Sequence, residues 1–292
     1  MSPITTNMWE RRKPRSFSIL LALLLLPAAA LAEDTSRPHT ALPNVHVLDP
    51  MTIPGLDRPR TVRIYLPPGY EAAPDARYPV LYLHDGQNLF DDATSYVGEW
   101  GVDESLDKLA AEGLPFIAVG VDHGVDKRIN ELTPWLQPKF GRAEGIEYLE
   151  FVARTVKPYV DAHYRTLPGR EHTLVGGSSM GGVMSHYAVY KYPQVFGKAL
   201  VFSPAYWTGL ALPFDYTVGR CLPPGTRYYA VTGSKEGAEA LQDLAHMTAV
   251  MKANAAPGVA MFSEVREGAE HNERFWREEF PKAIRWLFQA GP

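Results

Sequence analysis

A single cysteine, Cys221, is present in 292 residues. One thiol cannot close an internal disulfide, so no cystine framework holds this fold together. Cys221 lies in a loop-like GRCLPPGT stretch with no neighbouring histidine, which argues against an activated thiolate. Cationic surplus is also missing: 29 basic residues face 33 acidic ones, for a net charge of -4. A nucleic-acid partner would demand a basic face, so none is expected. Internal repeats and low-complexity linkers are absent too.

The chain also lacks an apolar run long enough to cross a bilayer. The longest, residues 19–26, follows a basic stretch of Arg11, Arg12, Lys13 and Arg15 and precedes Ala30-Leu31-Ala32, with Glu33 and Asp34 next. A basic region, a short apolar core and a small-x-small ending describe a secretory signal peptide over residues 1–32. An uncleaved anchor is the competing account, Arg11-Arg12 gives a partial twin-arginine pattern, and Met8 offers a second start. The expected location is exported, periplasmic or secreted, with no membrane attachment after cleavage. Residues 33–43 are polar and contain proline, so they read as a flexible mature N-terminus.

What is present from residue 44 to residue 292 is an alternation of two periodicities. Short apolar runs at 45–48, 61–66, 80–84, 116–121, 172–175, 199–202, 228–232 and 261–265 read as strands. Helical patterns occupy 103–112, 146–163, 180–192, 239–254 and 273–288, with Pro158 expected to break or kink the second. Strands alternating with helices require parallel pairing through right-handed crossovers. The expected fold is a single three-layer α/β domain with a mostly parallel sheet. The early strands pair antiparallel at one edge, and the loop 203–226 forms a partial lid.

Reactive groups in such sheets collect beyond the carboxyl ends of the strands. After the strand ending at Val175 comes GGSSMGG, in which Gly177-Ser178-Ser179-Met180-Gly181 fits G-x-S-x-G. A serine at so sharp a strand-to-helix turn needs glycine two positions either side, where side chains would collide. A Gly-rich phosphate cradle is the bland alternative, but no GK[ST] follows. A serine hydroxyl needs a base, and His271 directly follows the last strand. His186 and His246 fall inside helical patterns and read as surface or packing residues. The orienting acid should follow the strand at 228–232: Glu236 is first, and Asp243, on the next helix, is the alternative. Glu236 could equally serve as a helix N-terminal acid. Oxyanion donors are expected at the backbone N–H groups of Met180 and Gln87, with Gly86 giving the chain room to turn. His84, Asp85, Asp122 and His123 close two separate strands without metal-ligand spacing, so neither a metal nor another cofactor is expected.

These residues resemble the esterase branch of the α/β-hydrolases that includes esterase D-like enzymes, siderophore esterases, feruloyl and acetyl-xylan esterases and mycolyltransferases. The resemblance rests on YPVLYLHDGQNLFDD (78–92), GEWGVDESLDKL (98–109), RINELTPW (128–135), GGSSMGGVMSHYAVYKYPQVFGKALVFSPAYW (176–207) and GAEHNERFWREEFPKAIRWLF (268–288). It implies an α/β-hydrolase fold, Ser179 as nucleophile, His271 as base and Glu236 as acid. Some siderophore esterases manage with a Ser–His pair. It also implies Met180 and Gln87 as the oxyanion hole. Trp207 and Phe214 would line an acyl or aromatic pocket, with Arg128, Asn130 and Glu131 on the opposite wall; loop packing is the competing account of these five. The expected reaction is hydrolysis of a small-molecule or acyl-sugar ester through an acyl-enzyme. Acyl transfer on the same site, or ligand binding on a hydrolase scaffold, are the alternatives.

Overall fold

Strands sandwiched between two helical layers are apolar on both faces, because each face meets a core. In a computed structural model describing residues 37–289, the strands are β1 (Val45–Val47), β2 (Met51–Ile53), β3 (Arg58–Arg60), β4 (Val62–Tyr65), β5 (Val80–His84), β6 (Ile117–Val121), β7 (Thr173–Ser178), β8 (Lys198–Phe202), β9 (Arg227–Gly233) and β10 (Ala260–Arg266). The helices are α1 (Val102–Ala111), α2 (Arg128–Glu131), α3 (Gly145–Phe151), α4 (Lys157–His163), α5 (Met180–Lys191), α6 (Leu212–Thr217), α7 (Ala238–Ala253) and α8 (Glu273–Phe288). The signal peptide expected at residues 1–32 lies outside the described residues.

An 8-stranded sheet runs in the order β1-β4-β6-β5-β7-β8-β9-β10. Pairing is parallel from β6 through β10 and antiparallel where β4 meets β1 and β6. The eight runs read as strands all belong to this sheet. Alternation of side chains divides the interior in two. Val80, Tyr82, Val175, Ala199 and Val201 enter a core with α3, α4, α5 and α7. Leu81, Leu83, Leu174, Leu200 and Phe202 enter the other, with α1 and α8. Helix α5 is buried on nearly every side, so its apolar pattern is continuous rather than one-faced.

The helical pattern at 146–163 forms as expected in extent. The break expected at Pro158 is softened: α3 passes into α4 through one widened turn, Val152–Val156. A π-turn of this kind absorbs the missing proline N–H without ending the helix. Within the segment 33–43 read as flexible, residues 37–43 are hydrogen bonded to the body of the protein. Thr40 N donates to Asp91 Oδ1 (3.1 Å) and Leu42 N to Asp103 Oδ2 (2.8 Å). The loop 203–226 contains a helical turn, Tyr206–Gly209, and α6. It is held down where Gln137 Nε2 donates to Trp207 O (2.7 Å) and Gln137 N to Thr208 O (3.1 Å).

The hairpin β2–β3 was not evident from sequence. Its anchorage is ionic: Arg60 Nη2 donates to Glu131 Oε1 (2.6 Å), and Arg58 Nη1 reaches Glu131 Oε1 (2.9 Å) and Glu144 Oε2 (2.6 Å). Glu131 is fully buried and Arg60 nearly so. Removing one member of such a buried pair strands the other charge. Glu131→Ala should therefore lower unfolding stability by about 3–5 kcal/mol, mostly through Arg60. A urea midpoint unchanged from the wild type would show that the pair does not anchor the hairpin.

Candidate active site

The turn from β7 into α5 fixes Ser179 at φ 56, ψ -118, a left-handed backbone that a non-glycine residue adopts only when its surroundings enforce it. The enforcement comes from both flanks. Ser179 N donates to Phe202 O (2.9 Å), while Ala205 N donates to Ser179 O (3.1 Å). The glycine spacing has its steric cause: a methyl group on Gly177 would lie 3.0 Å from the Gly181 backbone, and one on Gly182 would lie 2.9 Å from Phe202 O. Ser179 is half-buried at the carboxyl edge of the sheet.

Parallel register carries two further segments to the same edge. Glu236 follows β9 and His271 follows β10, and His271 Nδ1 lies 2.7 Å from Glu236 Oε2. A carboxylate only accepts, so the ring proton sits on Nδ1 and leaves Nε2 free to take a proton. The other carboxylate oxygen is also committed: Glu236 Oε1 accepts from Gly233 N (2.6 Å) and Ser203 Oγ (2.7 Å). Ser203 Oγ in turn accepts from Trp276 Nε1 (3.0 Å), and the Trp276 ring meets the His271 ring edge-on at 5.0 Å. The Glu236 side chain is buried while the His271 ring is 43% exposed. Asp243, the alternative acid, is not a hydrogen-bond partner of His271; its surroundings are Glu239 and His246 on its own helix. No direct hydrogen bond joins Ser179 Oγ to His271 Nε2 among the described residues.

The loop after β5 lies against the start of α5. A methyl group on Gly181 would approach His84 Cβ to 3.1 Å and Asp85 Oδ2 to 3.3 Å. Gly86 is pressed on β6, where a methyl group would meet Asp122 Oδ1 at 2.6 Å and Gly120 at 2.7 Å. Gln87 and Met180 occupy first helical turns, where backbone N–H groups have no intrahelical acceptor. The Gln87 side chain is spent elsewhere, accepting from His123 N (3.1 Å).

The expected pocket residues separate. Arg128 grips Asp85 through two parallel bonds, Nε to Oδ1 (2.8 Å) and Nη2 to Oδ2 (2.9 Å). Trp207 is exposed, edge-on to Phe140 at 6.1 Å. Phe214 and Glu131 are both buried. Phe214 is buried between Tyr206 and His246, stacked on the latter at 4.5 Å. Glu131 is sealed in its arginine cluster. Asn130 serves the loop, donating from Nδ2 to Phe140 O (3.0 Å) and Arg142 O (2.8 Å). The residues weighed for a metal have other partners: Asp122 is held by Arg63 (2.9 Å), and His84 Nδ1 meets Tyr148 OH (2.9 Å). Burial pushes the His84 and His123 imidazoles each down to about 4, so both are neutral near pH 7. His186 is a packing residue, fully buried between Tyr228 OH and Thr217 Oγ1, each at 2.9 Å.

Ser203 and Trp276 escaped the sequence reading. Ser203 sits one residue past β8, so the rule that reactive groups follow strand ends could have found it. Trp276 carries no such signal.

A mostly parallel sheet with a strained serine between strand and helix, and a paired histidine and acid on later strand ends, defines an α/β-hydrolase. The chain belongs to an esterase family: the family model described as "Putative esterase" matches residues 53–287. It is 26% identical over 243 residues to the uncharacterized protein YbbA of Bacillus subtilis, covering 78% of this chain and 92% of that one. It is also 26% identical over 239 residues to an endo-1,4-beta-xylanase/feruloyl esterase of Xylanibacter ruminicola, covering 79% of this chain but 29% of that protein. The fold is shared with the BES protein from Bacillus cereus (TM-score 0.69, 17% identity, 87% of this chain and 98% of that one). It is shared too with the enterobactin esterase of Shigella flexneri (TM-score 0.68, 20% identity, 90% of this chain and 64% of that one).

Ser203→Ala removes one of the bonds that hold Glu236 and leaves the Trp276 N–H without its acceptor. Ester turnover by that variant should fall about tenfold in kcat with KM little changed, in line with losing one positioning hydrogen bond. Wild-type kcat in a correctly folded Ser203→Ala chain would show that the serine does not position the acid.

Proposed function

We propose that this protein is an exported serine esterase that hydrolyses a carboxylic ester of a small molecule or an acylated sugar. The observation that carries the reading is the His271–Glu236 bond of 2.7 Å, with both carboxylate oxygens committed, at the same sheet edge as the strained Ser179. Ser179 Oγ attacks the ester carbonyl carbon while His271 Nε2 accepts the hydroxyl proton. Negative charge develops on the carbonyl oxygen, and the N–H groups of Met180 and Gln87 receive it. Collapse of the tetrahedral adduct breaks the C–O bond, and the alcohol departs with the proton from His271. Water then attacks the acyl-enzyme while His271 takes its proton, and as the C–O bond to Ser179 breaks His271 returns a proton to Ser179 Oγ, releasing the carboxylic acid. Glu236 stabilises the imidazolium in both halves without taking a proton itself. The half-exposed imidazole favours water as the second nucleophile. The feruloyl and enterobactin esterases among the relatives support small-molecule esters as the substrate class.

A fluorophosphonate probe should label the mature protein and leave Ser179→Ala unlabelled; equal labelling of that variant would remove Ser179 as nucleophile. With p-nitrophenyl acetate, His271→Ala should lose about a thousandfold or more, and Glu236→Gln about a hundredfold or more. Near-native turnover by either would take that residue out of the mechanism.

Export rests on the leader pattern ending at Ala32. In a host with a functional secretion pathway, the extracytoplasmic protein should begin at Glu33 on N-terminal sequencing. Full-length chain confined to the cytoplasm would overturn the export reading.

A further inference from the structure

Asp85 is a carboxylate in an unfavourable place. It is almost fully buried, its backbone is left-handed at φ 59, and it opens the turn that carries Gly86 and Gln87. Its Oδ2 would be 3.3 Å from a methyl group on Gly181, so the carboxylate rests against the first turn of α5. Both backbone N–H groups assigned to the oxyanion, those of Gln87 and Met180, therefore lie within two residues of a group that touches Asp85 or of Asp85 itself. An unbalanced anion there would repel the charge that builds on the carbonyl oxygen, and the dry surroundings would amplify the repulsion.

Arg128 is placed to prevent this. Its guanidinium meets both oxygens of Asp85 in a fork, at 2.8 and 2.9 Å, the geometry that fixes a carboxylate in orientation as well as charge. Burial raises the cost of the Asp85 charge, but the adjacent Arg128 outweighs it and holds the carboxyl below its ordinary value. The neighbouring His84 and His123 are neutral near pH 7 because burial drives each down to about 4, so they do not balance Asp85.

We infer that Arg128 is a positioning residue for the esterase reaction: it neutralises Asp85 and locks the left-handed turn, so that the oxyanion donors face no competing negative charge. This rests on the Ser179 reading above. It assigns Arg128 a role in the rate of bond making rather than in holding the substrate.

The test compares Arg128→Gln, Arg128→Lys and the double variant Arg128→Gln/Asp85→Asn, with p-nitrophenyl acetate turnover and phenylboronic acid inhibition as readouts. Phenylboronic acid forms a tetrahedral adduct on the serine and so reports the oxyanion environment. Fluorophosphonate labelling of the wild type at Ser179 comes first; a chain that takes no label removes both the esterase reading and this one. In a labelled chain, Arg128→Gln should lose kcat about a hundredfold, the scale of losing an oxyanion donor, with KM changed by less than about threefold. Removing the stranded anion as well should restore about tenfold of that loss, with boronate affinity falling and recovering in parallel. Arg128→Lys, which keeps the charge on a single donor, should lie between the wild type and Arg128→Gln. A double variant as slow as Arg128→Gln, or a loss confined to KM, overturns the assignment while leaving the Ser179 mechanism intact. If Arg128→Gln does not fold by circular dichroism, the folded double variant and Arg128→Lys decide. Wild-type boronate affinity in Arg128→Lys beside a hundredfold loss of kcat would then overturn it.

Discussion

Strands β7, β8, β9 and β10 pair side by side in a common parallel register, which puts Ser178, Phe202, Val231 and Glu264 on one line across the sheet. Everything that follows those residues must emerge on the same edge. Ser179 and Ser203 each stand one residue past that line, while Glu236 and His271 lie on the loops that leave β9 and β10 at the same edge. The site needs few side-chain bonds of its own, because the sheet has already done the gathering. What remains local is aim: the strained turn lifts Ser179, and the Gly233 N–H and Ser203 hydroxyl fix the face that Glu236 turns to the imidazole.

Charge burial around this edge follows one pattern. Asp85 is matched by Arg128, Glu131 by Arg60, Asp122 by Arg63, and Glu279 by Arg266 at 2.6 Å. Each acid is largely removed from water; Arg128 and Arg63 meet their carboxylates as planar forks, while Arg60 and Arg266 each bond a single carboxylate oxygen. Pairs of this kind contribute little net stability compared with apolar packing. Their effect is to fix loops and the hairpin in one arrangement.

How much of this was legible in the sequence depends on the range of the forces involved. The eight strands of the main sheet coincide with short runs rich in apolar and β-branched residues, so the pattern identified them. Hairpin strand β3 reads Arg-Pro-Arg, with no apolar period, and its stability comes from glutamates some 70 or more residues away in sequence. The placement of Ser179, Glu236 and His271 at one sheet edge was legible because all three follow strand ends in chain order. Ser203 and Trp276 were not, since their significance exists only after β8 and α8 meet. The surroundings of Phe214 and Glu131 were not legible for the same reason: a resemblance names residues near a site but does not say which way they face. The segment at 37–43 read as loose because its composition is polar, while its tethers, Asp91 and Asp103, lie some 50–60 residues onward.

The two halves of the site hang from parts of the sheet with unequal protection. Ser179 leaves β7, which is paired on both sides, by β5 and β8. His271 leaves β10, the last strand of the sheet, bonded only to β9 and partly open to solvent. Fraying at a sheet margin requires far less free energy than global opening. His271 is therefore the component that thermal motion withdraws first, while Ser179, its helix and the core stay in place. Loss of the His271–Glu236 pairing on warming becomes an event of the margin, separable in temperature from loss of the fold, and reversible as long as β9 remains to receive β10 again.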